Sequence, residues 1–107
     1  MITMFLLACN SGSADTAIDP DCLDQPQVTW ENWAEGFFIT YCTACHSATS
    51  PDRYGAPEGI DFDTEEEVAT LSSLIRQTVL EEGSMPYGGG VYDEDLELLA
   101  IYLDCGI

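Results

Sequence analysis

The clearest chemistry in the chain lies in five consecutive residues, Cys42-Thr43-Ala44-Cys45-His46, which read C-x-x-C-H. That spacing attaches c-type haem. Two thiols three positions apart at a helix end can each form a thioether with one vinyl group of a single haem. The histidine that follows then meets the iron from the same side. C-x-x-C also serves redox dithiols and zinc sites, so the motif takes its weight from its surroundings. His46 is the only histidine, so two imidazoles of one molecule cannot hold the iron. Of the three methionines, Met1 and Met4 fall in an apolar leader that processing removes, which leaves Met85. Met85 sits in Gly83-Ser84-Met85-Pro86-Tyr87-Gly88-Gly89-Gly90, a stretch too rich in glycine and proline to be helical. Pro86 biases Met85 towards an extended backbone, and such a loop can lay a thioether over an open haem face. His/Met ligation raises the reduction potential and suits electron transfer.

Three helices are expected to position these groups. Trp30, Trp33, Ala34, Phe37, Phe38 and Tyr41 recur at helical spacing and lead directly into Cys42. Thr64 and Glu67 have the spacing of a capping box, with Glu65 and Glu66 complementing the positive helix end. From there Val68, Leu71, Leu74, Ile75, Val79 and Leu80 form a stripe that Gly83 stops. Asp93 is placed to cap a third helix, with Leu96, Leu99, Ala100 and Leu103 facing inwards. No alternating run suggests a sheet, so the fold class is all-α. Asp61, Asp63 and Glu65 alternate as calcium ligands sometimes do, but they lack the loop glycine of an EF-hand and read as helix-start chemistry.

The N-terminal segment reads as a processing signal. Met1 to Ala8 is apolar but far short of the about 20 residues that span a bilayer. Leu6-Leu7-Ala8-Cys9 resembles a bacterial lipobox, which implies lipidation of Cys9; the basic part of such a signal is expected upstream of Met1. The division expected is a signal remnant over 1–8, a flexible tether over 9–21 and one folded domain over 22–107. Asn10 in place of an aspartate leans towards the outer membrane, within an envelope or periplasmic location.

With C-T-A-C-H, the downstream S-M-P and the aromatic-bearing terminal segment L-L-A-I-Y-L, the chain resembles the class I cytochromes c, small and single-haem. The resemblance runs from about Trp30 to Gly106. It implies helices wrapped around one covalent haem c, and a close crossing of the first and last helices. Ala34, or Gly36 instead, and Phe38 would stand at that crossing. It also implies electron entry at an exposed haem edge near Thr43, Ala44 and the Tyr87–Gly90 loop. Cys22 and Cys105 remain after lipid and haem take the other three cysteines. One precedes the first helix and the other ends the last, so a disulfide is expected between them in an oxidising compartment. Arg53, in the loop after His46, is expected to pair with a haem propionate. Arg76 is expected to meet Glu81 or Asp104. The carbonyl of Pro51 or Pro57 is expected to accept the His46 ring N–H.

Composition narrows the partners. Twenty acidic residues against two basic ones give a formal charge of −18, which excludes a nucleic-acid footprint and opposes docking on anionic lipid except through an anchor. A 46% hydrophobic content with 10% aromatics argues for a packed core rather than disorder. The first functional reading is a one-electron carrier, not an enzyme, whose redox partners present cationic or apolar docking surfaces. The second is a haem sensor, ligand-binding or peroxidase-like protein in which Met85 dissociates. The third is a zinc module using Cys42, Cys45, His46 and one of the remaining cysteines.

Overall fold

Thr29 opens the first helical run by a reciprocal pair of hydrogen bonds. Its hydroxyl accepts from the Asn32 N–H at 3.1 Å, and the Asn32 side chain accepts from the Thr29 N–H at 2.8 Å. The computed structural model describes residues 20–107; the lipobox, Cys9 and nearly all of the expected tether lie outside the described residues. A short helix α1 (Pro20–Leu23) comes first. A π-helical turn, Trp30–Ala34, then runs without a break into α2 (Glu35–Tyr41). Next come α3 (Glu65–Thr70) and α4 (Ser72–Ile75), the latter continued by a π-helical stretch, Arg76–Glu81. The last element is α5 (Asp93–Ile101), continued by a π-helical turn, Tyr102–Gly106. Among the described residues there is no strand, so the architecture is all-helical as expected. None of these helices is long and apolar enough to cross a membrane.

The capping box at Thr64 is present. Its hydroxyl accepts from the Glu67 N–H, and the Glu67 carboxylate accepts from the Thr64 N–H, both at 3.1 Å. Asp93 is not a cap. Tyr92 takes the N-cap position in an extended conformation, and its carbonyl accepts from Asp95 and Leu96. Asp93, Glu94 and Asp95 instead fill the first turn, where carboxylates face the positive helix end.

The core joins all three helical runs. Ala34, Phe37 and Phe38 from the first pack in one cluster with Val68 and Ile75 from the second and Leu99, Tyr102 and Leu103 from the third. Burying each large side chain in such a cluster contributes roughly 1.5–3 kcal/mol. At the small-residue position Ala34 is fully buried, whereas Gly36 is exposed, so Ala34 is the one that lies in the core. Leu96 and Ala100 are only half-buried; Tyr102, fully enclosed, does more of the packing than either. The Tyr41 hydroxyl donates to Asp95 at 3.3 Å and ties the first run to the last. Burial, with Asp95 next to it, pushes the Tyr41 phenol above its ordinary pKa. Cys22 and Cys105 stand at disulfide distance, with Cα atoms 5.6 Å apart, as their positions predicted. Arg76 pairs with Asp104, so the chosen acid is on the last helical run rather than the neighbouring Glu81.

Candidate functional site

Helix α2 ends at Cys42, and the chain turns there because two amides compete for one carbonyl. The N–H groups of Cys42 and Thr43 both donate to the Phe38 carbonyl, at 2.9 and 3.0 Å. The Cys42 carbonyl then accepts from Cys45 at 3.2 Å and from His46 at 2.9 Å, so the three reactive side chains share one turn. Ser50 reaches back to fasten that turn, its hydroxyl lying 2.8 Å from the Thr43 carbonyl and 3.0 Å from that of Ala44. Both thiols are unpaired and half-buried. Burial pushes the Cys42 thiol up to about 12, which keeps it protonated.

Residues 46–62 form a closed loop whose base is a hydrogen bond from the Phe62 N–H to the His46 carbonyl at 2.9 Å. Asp63 adds a second tie, accepting from the Ala48 N–H at 3.0 Å. Inside this frame His46 Nδ1 lies 2.7 Å from the Ile60 carbonyl oxygen. That contact places the proton on Nδ1 and leaves the Nε2 lone pair for a ligand. Phe62 packs beside the imidazole, ring centroids 5.2 Å apart. The acceptor is therefore Ile60 rather than Pro51 or Pro57. The Pro57 carbonyl is already engaged by Arg53 at 2.6 Å and by the Ile60 N–H at 3.3 Å.

Met85 arrives from the other side of the sequence, 39 residues beyond His46. Gly83, with φ of 67°, ends the preceding helical run, a conformation that suits glycine. The Met85 N–H then donates to the Thr78 carbonyl at 3.1 Å and fixes the loop to the end of that run. Cys42, Cys45, His46 and Met85 all line one cavity of about 300 Å³. Its remaining wall is mostly apolar, with Phe38, Ile60, Phe62, Ile75 and Val79 among the contributors. Tyr54, Leu74 and Tyr87 line the same cavity while being exposed, so its mouth carries an apolar lip.

Arg53 also reaches the cavity wall, but its N–H groups are directed at protein acceptors. Nε donates to Ala56, Nη1 to Ser47 at 2.7 Å, and Nη2 to Pro57 at 2.6 Å and more weakly to Ile60 at 3.4 Å. Nη1 also forms an ion pair with Asp61 at 2.7 Å. Asp61 thus serves Arg53 and Asp63 serves Ala48, so the alternating acids do not converge, and no group of three or more metal-ligating side chains forms among the described residues. Among the described residues the zinc reading finds no fourth cysteine either, since Cys22 and Cys105 stand together.

Three contributors escaped the sequence. The Ile60 carbonyl has no side-chain signature, and the bond between Phe62 and His46 depends on how the loop closes. Ser50 had a faint signal, as a hydroxyl residue shortly after the motif in a turn-forming stretch. No family model, no curated protein and no solved structure matches the chain.

Proposed function

We propose that the chain is a small c-type cytochrome that passes single electrons, in which Cys42 and Cys45 would attach the haem and His46 and Met85 would be its iron ligands. The observation that carries this reading is the convergence of those four side chains, from two distant segments, on one apolar cavity. The donor set suits the group. It offers two unpaired thiols for thioethers, an imidazole whose Nδ1 is tied to a carbonyl, and a thioether, all against hydrocarbon. Haem, when bound, supplies the ferric/ferrous couple. The chain's own residues orient the imidazole, exclude water and present a narrow contact edge.

The class I cytochrome c fold belongs to the same proposal, with the three helical runs enclosing the haem. So do an extracytoplasmic location, where haem c is attached, and a lipid anchor at Cys9. The exposed Tyr54, Leu74 and Tyr87 at the cavity mouth, on a chain of charge −18, suit a redox partner with a small apolar contact inside a cationic rim. Such an association weakens as salt rises.

The test is to produce the chain in a host that attaches haem c and to measure its mass after denaturation. The mass of one haem retained under denaturing conditions is the expected result, lost when Cys42 and Cys45 are both replaced by alanine. A chain that emerges at its apoprotein mass from a host that matures other c-type cytochromes would overturn the reading.

A further inference from the structure

Arg53 and Asp61 form a charge pair, a second engagement of Arg53 beyond the propionate contact expected of it. Both side chains are largely enclosed, 18% and 12% exposed, although the chain has only two basic residues to spend. Asp61 Oδ1 has no well-directed hydrogen bond among the described residues; what faces it is the Arg53 charge. The guanidinium fork spans both arms of the loop that carries His46. On one arm it holds the carbonyl of Ser47, the residue after His46; on the other it holds Ala56, Pro57 and Ile60. The Ile60 carbonyl is the shared point, receiving His46 Nδ1 at 2.7 Å and Arg53 Nη2 at 3.4 Å.

We propose that Arg53, neutralised by Asp61, is a positioning residue for His46: it fixes the Ile60 carbonyl and moderates its pull on the imidazole N–H. This inference rests on His46 as an iron ligand. A carbonyl shared between two donors is a weaker acceptor for each, and the imidazole it holds gains less donor strength towards the metal. Lysine cannot replace the fork, because one ammonium cannot span acceptors on both arms of the loop. The pair also matters as charge. Without Arg53, the Asp61 carboxylate is left unbalanced and favours the more positive ferric state. Without the Asp61 charge, Arg53 favours the ferrous state.

The experiment is a redox titration, with ferric electron paramagnetic resonance, of the haem-loaded protein carrying Arg53→Gln, Asp61→Asn, both together, or Arg53→Lys. At the wild-type midpoint, Arg53→Gln should raise the ferric-to-ferrous ratio several-fold and Asp61→Asn should lower it several-fold. The double variant should fall between them. Arg53→Lys should leave the ratio closer to wild type than Arg53→Gln does, yet change the ferric resonance that reports imidazole orientation. Where a single variant does not mature, the neutral double variant and Arg53→Lys decide, the double variant being expected to show the same altered resonance. A purely structural role would shift Arg53→Gln and Asp61→Asn the same way. That result, or a wild-type resonance in the Lys and double variants, overturns the inference while leaving the electron-carrier reading intact. A wild-type chain that carries no haem overturns both.

Discussion

Among the described residues Tyr102 is the largest fully buried side chain, and its hydroxyl has no hydrogen-bond partner there. Burial, reinforced by the charges of Glu65 and Glu31, pushes its phenol up to about 12. An acid whose folded pKa lies above its unfolded value of about 10 contributes stability that is complete below pH 10. That contribution fades as the pH rises towards 12. Tyr102→Phe should therefore flatten the loss of stability between pH 10 and 12, read from denaturant unfolding at several pH values. At neutral pH the same variant should be as stable as the parent, or more so by up to about 1 kcal/mol, since it removes an unpaired buried hydroxyl. A neutral-pH loss beyond about 1 kcal/mol would show that the hydroxyl has a partner. At the same scale, the C-x-x-C-H spacing, the single histidine and the one methionine outside the leader picked out the four residues that line the cavity. The orientation of His46 was not, because a proline carbonyl and the Ile60 carbonyl look alike until the loop closes.

Helix ends divided according to whether a side chain or the backbone does the capping. Thr64 and Glu67 announce their box by type and spacing, and the structure has it. Thr29 and Asn32 form the same reciprocal pair with a shorter partner, which a search for Glu or Gln at the fourth position passes over. Asp93 looked like a cap because aspartate often is one, yet the Tyr92 backbone already takes the helix-start amides. Thr64→Ala should lower stability by about 1 kcal/mol in thermal or denaturant unfolding. Asp93→Ala should cost less, the loss of one favourable charge near the helix end. Equal costs would mean that Asp93 caps after all. Gly106 makes a sharper case. A Cβ added there would collide with the Val28 carbonyl oxygen and press on the Tyr102 ring. Gly106→Ala should cost about 1–3 kcal/mol by forcing those neighbours apart. A neutral effect would show that the last turn yields freely.

Across the whole molecule, cysteine arithmetic located a link that helix patterns could not. Assigning three cysteines to lipid and haem left Cys22 and Cys105, and the structure brings them to disulfide distance across 83 residues of sequence. Replacing both with serine should cost roughly 2–5 kcal/mol, measured by unfolding under non-reducing conditions. An unchanged midpoint would mean the pair is not bonded in the protein. The all-helical class was legible from periodicity, since every apolar stripe repeats at helical spacing. The three π-helical stretches were not, because five-residue hydrogen bonds leave no residue type of their own. Nor was the apolar lip of Tyr54, Leu74 and Tyr87, which depends on two loops and helix α4 meeting at one cavity mouth. The central proposal is that His46 and Met85 would both serve as ligands of one haem iron. It is tested most directly by the ferric and ferrous absorption spectra of the matured protein, with and without carbon monoxide. A low-spin, six-coordinate spectrum indifferent to carbon monoxide in the parent, turning carbon-monoxide-sensitive in Met85→Ala, is the predicted result. A parent that binds carbon monoxide readily would contradict it, and would mean that Met85 leaves the iron open to ligands.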